Sequence, residues 1–116
     1  MMTCASDFVP GSTLDALRAD LAAGRTTSRA LVETCLDRAS RGEGPRAYVR
    51  VDADAARFAA DEADRLRREG IEPSPYAGIP ISVKDLFDVG GQVTTAGSRV
   101  LAEATPAARD AGAVAR

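Results

Sequence analysis

Alanine supplies 23 of the 116 residues, as many as leucine, isoleucine, valine and phenylalanine combined. That ratio limits the fold more than any other feature. A buried alanine removes little apolar surface from water, so a core of this composition is thin and must rely on close helix contacts. A chain of this length buries about 65% of its unfolded surface at best. So small a share of large apolar residues with a high net charge would indicate disorder, but the net charge is only −2. The reading is a folded segment with alanine-lined helix packing. Its isolated stability is expected to be marginal, so a partner or a further stretch of chain is expected to complete it.

Composition also removes whole classes of chemistry. The sequence contains no histidine. No Ser–His or Cys–His nucleophile pair, histidine-ligated metal or histidine base can therefore be built from this chain alone. No cofactor is called for. Fourteen of the fifteen basic residues are arginine, and the single lysine is Lys84. Arg65, Arg67 and Arg68 are interleaved with Glu62, Asp64 and Glu69, which describes a solvated helix face and argues against nucleic acid as a direct partner. No apolar run approaches the length of a membrane span. Residues 1–11, a loose lead-in closed by Pro10-Gly11, lack a basic region followed by an apolar stretch, so no secretory leader is expected. Cys4 and Cys35 form no CxxC and are expected to be free thiols in a reducing cytoplasm.

Punctuation by caps and breakers predicts the elements. Ser12 or Thr13 caps a first helix with Leu14, Leu17 and Leu21 on one face, and Gly24 stops it. Thr27 or Ser28 starts a second, carrying Leu31, Val32, Cys35, Leu36 and Ala39, which ends at Gly42-Glu43-Gly44-Pro45. These form an expected antiparallel helical hairpin over 12–45. Residues 47–51 alternate as a short strand. Asp52 then caps a helix to about Glu69, its inner face read as Ala55, Ala56, Ala59, Ala63 and Leu66 with Phe58 nearby, and Gly70 closes the 47–70 unit. After a proline-rich link, residues 79–85 alternate Ile79, Ile81 and Val83 against Pro80, Ser82 and Lys84, the pattern of a strand. Gly90-Gly91 turns the chain, 93–98 is extended or looped, and a last helix begins near Asp110 within 106–116. The order of helices and strands predicts an α/β architecture.

The 76–100 block carries the chemistry. Its strand delivers Lys84 beside Ser82, Asp85 and the small-residue loop 94–98. An unperturbed lysine, with a pKa of about 10.4, is neutral about once in 2,500 at pH 7, so a lysine base needs its pKa lowered by roughly three units. Arginine cannot be deprotonated in proteins and could not substitute as a base. A lone lysine in a chain that otherwise uses arginine therefore points to a specific need. The alternative is a solvated lysine, or one paired with Asp85.

The run Tyr76-Ala77-Gly78-Ile79-Pro80-Ile81-Ser82-Val83-Lys84-Asp85-Leu86-Phe87, then Gly91, then Thr94-Thr95-Ala96-Gly97-Ser98, resembles the signature segment of the amidase signature family. The flanks are similar too: 12–36 matches the family's two N-terminal helices, and Thr105-Pro106 with Asp110-Ala111 matches the start of the next. The resemblance implies an α/β/α fold with a mixed central sheet flanked by helices, incomplete in this chain, with 1–116 as its N-terminal portion. It also implies a Ser–cis-Ser–Lys mechanism, with Lys84 as the lysine that accepts a proton through a bridging serine on a cis peptide.

None of Ser6, Ser12, Ser28, Ser40, Ser74, Ser82 or Ser98 matches either catalytic serine, since the family's Gly/Ser-rich signature lies well downstream in a chain several times longer. Ser82 is read as local packing. The leading expectation is a carboxamide hydrolase whose substrate is a small amide. The A subunit of a glutamine-dependent tRNA amidotransferase and a non-catalytic remnant or interaction module are the alternatives. A homo-oligomer is compatible with the thin core. The isolated chain is expected to turn over no amide and to leave Lys84 exposed.

Overall fold

A computed structural model describes residues 12–116. The lead-in at 1–11, with Cys4 and Ser6, lies outside the described residues. The chain divides into two compact units, one ending at Pro80 and one beginning at Ile81.

The first unit is helical. Thr13 caps α1 (Leu14–Ala22), its side chain accepting from the amide of Ala16, and Gly24 follows at φ 71°. Thr27 caps α2 (Ser28–Ser40) in the same way through the amide of Ala30. A single turn, α3 (Gly44–Ala47), comes next. Asp52 caps α4 (Ala53–Arg68) through the amide of Ala55, and Gly70 at φ 75° ends its turn. Leu17 and Leu21 of α1 meet Leu31 of α2, and Ile79 packs against the cluster. Among the described residues, Val32 and Ala60 bring the buried apolar side chains to five, as thin a core as the composition predicts. Cys35 is a half-buried free thiol whose pKa is pushed up by burial, as expected of a small packing residue.

Three expectations are corrected in this unit. First, α2 packs most extensively on α4, in addition to meeting Leu17 and Leu21 of α1 through Leu31, so the pair is not an isolated hairpin. Polar contacts decide this, because the apolar side chains are too few. The Asp64 carboxylate of α4 accepts from the amides of Ser28 (2.8 Å) and Arg29 (3.0 Å), two orphan donors at the start of α2. Glu33 of α2 takes a two-pronged contact from Arg57 of α4 (2.8 and 3.1 Å), and Arg29 reaches both Glu33 (2.8 Å) and Asp61 (2.7 Å).

Second, the inner face of α4 is rotated from the alanine stripe. Ala60 is buried, whereas Ala55 and Ala59 are exposed and Phe58 is 74% exposed. Arg57 and Asp64 lie a heptad apart on the packing face because their charges are met by α2. Third, 44–47 are helical as α3, and 48–51 have no strand partner. Pro45 suits the first turn of a helix, and alternation alone makes no strand without a neighbour to pair with.

A proline-rich link closes the unit. Arg67 of α4 donates to the carbonyl of Ala77 (2.7 Å), and Tyr76 Oη donates to Asp15 of α1 (3.0 Å). Gly78 sits at φ 88°, where an added Cβ would lie 2.1 Å from Ser28 Oγ. Ser28 is fully buried and its hydroxyl has no partner among the described residues.

The second unit contains a 3₁₀ turn (Val100–Glu103) and a short α5 (Gly112–Ala115). No strand occurs among the described residues, so the 79–85 strand and its sheet are not formed within them. Ile81, Ser82 and Val83 adopt neither helix nor turn and have no laddered neighbour. The physical reason is the same as at 48–51, since a strand exists only through its partner. No described helix is long and apolar enough to cross a membrane.

Two outcomes are expected. Ser28→Ala should leave the urea midpoint unchanged or raise it, because it removes an unsatisfied buried hydroxyl. Gly78→Ala should cost about 2–4 kcal/mol from its positive φ and the clash, and Ser28→Ala should recover only the clash in the double mutant. The second outcome concerns pH. Hydrogen bonds from Arg57 and then Arg29 hold Glu33 at a pKa of about 2, against 4.5 for the free group. The unfolded chain thus binds this proton first, and the stability Glu33 contributes above pH 4.5 should fade as pH drops towards 2. Melting curves across that window should show the loss, and Glu33→Gln should flatten it.

Candidate functional site

Lys84 opens a tight turn. Its carbonyl accepts from the amides of Leu86 (2.7 Å) and Phe87 (3.1 Å), so the chain reverses immediately after the lysine. Its side chain is exposed, and among the described residues it forms no ion pair or hydrogen bond. The exposure agrees with the expectation for this chain. The alternative of a Lys84–Asp85 pair is not what the geometry shows.

Asp85 turns instead to the downstream loop. Its carboxylate accepts from the amide of Thr95 (2.9 Å) and bonds to the Thr95 hydroxyl. That hydroxyl, then the amides of Thr95 and Ala96, hold the Asp85 pKa below the usual carboxylate value. The carboxylate thus fixes the loop 94–98 to the residue after the lysine. Ser98 N donates to the Thr95 carbonyl (2.8 Å) across Ala96 and Gly97, whose φ values are 49° and 73°. Such a pair is that of a type I′ turn. Ala96 is the one non-glycine among the described residues at positive φ, a conformation that costs about 1–2 kcal/mol for an L residue. The Asp85 contacts at Thr95 and Ala96 offset that strain.

The rest of the unit braces this turn. Asp88 accepts from Thr94 Oγ1 (2.6 Å), and its carbonyl accepts from Ala111 N (2.8 Å). Gly91 N bonds to the Ala107 carbonyl (2.8 Å) and Ala107 N to that of Gln92 (2.9 Å). Asp110, expected as the last helix's cap, accepts from Gly90 N (2.7 Å), while Ala111 takes the cap position of α5 without a side-chain bond.

Lys84 and the 94–98 loop are therefore brought together through Asp85, as their spacing suggested. Ser82, read as local packing, is exposed, and Ser98 serves the turn. The Asp85–Thr95 clamp was missed by sequence reasoning, although an aspartate ten residues before the second threonine of a Thr-Thr-x-Gly-Ser turn is its signal. No cluster of metal-binding side chains occurs among the described residues.

The model of the family described as Amidase matches residues 30–116. The A subunit of a glutamyl-tRNA(Gln) amidotransferase from Chloroflexus aurantiacus is 44% identical over 95 residues, covering 81% of this chain and 20% of its own length. A mandelamide hydrolase from Pseudomonas putida is 42% identical over 82 residues, covering 71% and 16%. A solved structure, described as an unexpected vestigial protein complex revealing the evolutionary origins of an s-triazine catabolic enzyme, superposes with a TM-score of 0.79. It is 34% identical and covers 86% of this chain and 22% of its own. The chain thus spans about a fifth of the length of the curated relatives it matches.

Replacing Asp85 with alanine should speed amide exchange at Thr95 and Ala96 while leaving α2 and α4 protected. Ala96→Gly should be tolerated, and Gly97→Ala should destabilise the turn by about 1 kcal/mol. Carboxyl NMR should find that Asp85 remains ionised below pH 3.8, the value of the free group.

Proposed function

The chain belongs to the amidase family, and from that premise we propose that Lys84 is the base of a carboxamide hydrolase. The observation that supports this most is Lys84's position. The chain's single lysine lies within the family match, exposed at a turn pinned by Asp85 and Thr95. In the proposed Ser–cis-Ser–Lys reaction, a serine hydroxyl attacks the amide carbonyl carbon. Its proton passes through the bridging serine to the Lys84 amine. Backbone amides near the nucleophile hold the oxyanion. The C–N bond breaks as that proton returns to the leaving nitrogen, and water then releases the acyl group as a carboxylic acid. Both serines are assigned to the four-fifths or so of the relatives' length that this chain does not match. The rest of the mixed sheet is assigned there too, with 79–85 contributing one strand from this chain.

A second reading has support from the relatives. Several of them, including those from Chloroflexus aurantiacus and Deinococcus deserti, are named as the A subunit of glutamyl-tRNA(Gln) amidotransferase. Such a protein would release ammonia from glutamine with the same lysine and pass it to a second site. The solved neighbour is described as vestigial, which keeps a non-catalytic remnant as a third reading.

Expression of the full reading frame that contains this chain separates them. A hydrolase releases ammonia from simple amides without a partner, whereas an amidotransferase component requires its partner chains and glutamine. In either enzyme Lys84→Ala and Lys84→Arg should lower turnover about 10²–10⁴-fold. The 116-residue chain alone should release no ammonia from any amide. A reading frame that carries no activity in either assay, or activity unchanged by Lys84→Ala, overturns the lysine-base reading.

A further inference from the structure

An aspartate beside a lysine base works against it. An opposite charge within about 4–6 Å favours the ammonium form, and a base must give that proton up. Asp85 follows Lys84 directly in the chain. Its carboxylate is nonetheless committed elsewhere. Oδ1 accepts from the Thr95 amide (2.9 Å), and Oδ2 is bonded to the Thr95 hydroxyl. The Ala96 amide is a further donor, and together these groups favour the ionised carboxylate, so its charge persists and its direction matters. Among the described residues, Lys84 pairs with none of its unit's other charged side chains, Asp88, Arg99, Glu103, Arg109, Asp110 and Arg116. Two of those carboxylates are held off in the same manner, Asp88 by the Thr94 hydroxyl and Asp110 by the Gly90 amide. The clamp also fixes the backbone that carries the lysine. The Lys84 carbonyl takes the amides of Leu86 and Phe87, and Asp85 ties the next residue to the 94–98 turn. Swinging the carboxylate towards the amine would break both Thr95 contacts and release the turn at Ala96, whose φ of 49° they support.

We propose that Asp85 and Thr95 are positioning residues for the Lys84 base: Thr95 holds the carboxylate on its amide and hydroxyl, which steadies the backbone at the lysine and keeps the carboxylate from pairing with the lysine amine. The inference rests on the lysine-base reading and adds a requirement to it. The requirement is the clamp, not the negative charge. Asp85→Asn keeps the clamp, because the new side-chain carbonyl accepts from the Thr95 amide and its NH₂ donates to the Thr95 hydroxyl. Thr95→Val removes the donor from Oδ2 and leaves a charged carboxylate next to the lysine, whereas Thr95→Ser retains that donor.

The first arm of the test uses the 116-residue chain, whose one lysine gives a single side-chain NMR signal under isotope labelling of lysine. The midpoint of the Lys84 titration should rise by about 0.2–0.7 unit in Thr95→Val, the size expected of an exposed ion pair. It should not rise in Thr95→Ser, nor in the double variant Thr95→Val/Asp85→Asn. An unmoved midpoint in Thr95→Val, or a rise that persists without the Asp85 charge, overturns the proposal. The second arm uses the full reading frame that contains this chain, assayed for ammonia release from simple amides or, with its partner chains, from glutamine. In Thr95→Val the acid limb of the kcat profile should move up by about one unit, with turnover at pH 7 lowered about tenfold and recovered at higher pH. Asp85→Ala should lower kcat about 10–100-fold at every pH with KM little changed, and Asp85→Asn should stay within about threefold of the parent. A Thr95→Val loss that is equal at every pH, or an Asp85→Asn variant as impaired as Asp85→Ala, overturns the positioning role. The Lys84→Ala control separates the two readings. Turnover that ignores it removes the lysine base, whatever Thr95 does. Turnover that requires Lys84 but shows none of the Thr95 effects removes the positioning role alone.

Discussion

A carboxylate seated on the first amides of a helix sets the geometry of the first unit. Asp64 of α4 holds the amides of Ser28 and Arg29, so the start of α2 is fixed to a point about three-quarters along α4. Burial could not do this alone. Among the described residues five apolar side chains make up the buried core, and one of them is an alanine. Non-directional packing on so small an area leaves the helices free to slide or rotate. A directional, charge-assisted contact at a helix N-terminus does not, because it satisfies donors that have no partner inside the helix. The Arg57–Glu33–Arg29 ion pairs run along the same interface and reinforce its register.

The same device recurs in the second unit. Asp85 holds the amide of Thr95, and Asp110 holds that of Gly90. Each brings an acidic side chain to a backbone N–H ten or more residues away and fixes a loop without burying apolar surface. This is how an alanine-rich chain with few large side chains specifies structure. It also explains the state of Lys84. The turn that carries it is well determined, yet nothing in its unit is packed around the ammonium. A lysine base needs both a fixed position and removal of water, and the second unit supplies the first.

Much of the site was legible because its signals are local. Thr13, Thr27 and Asp52 cap helices where a hydroxyl or carboxylate precedes apolar periodicity. Gly24 and Gly70 end them with positive φ. The proximity of Lys84 to the 94–98 loop followed from the motif's spacing. The inner face of α4 was not legible, because arginine and aspartate at positions 57 and 64 look like solvent-facing residues until α2 supplies their partners. Nor was the helix at 44–47, where alternation of Tyr48, Val49 and Val51 outweighed the proline in its first turn. The Asp85–Thr95 contact escaped because the neighbouring lysine offered the more obvious partner.

The sequence by itself determined the caps, the breaks, the thinness of the core and the position of the single lysine, most of which depend on neighbours within a few positions. It also carried the family, whose model matches residues 30–116. Tertiary structure alone decided which face of α4 is inside and that α2 lies on α4. It also decided that Asp85 binds a threonine and not the adjacent lysine. The reason is physical. Caps and turns are satisfied by backbone groups close in sequence, whereas a charged side chain takes whichever donor the fold brings within hydrogen-bonding distance. A strand follows the same logic. The alternation at 81–83 is written in the sequence, but the ladder belongs to whatever surface comes to pair with it.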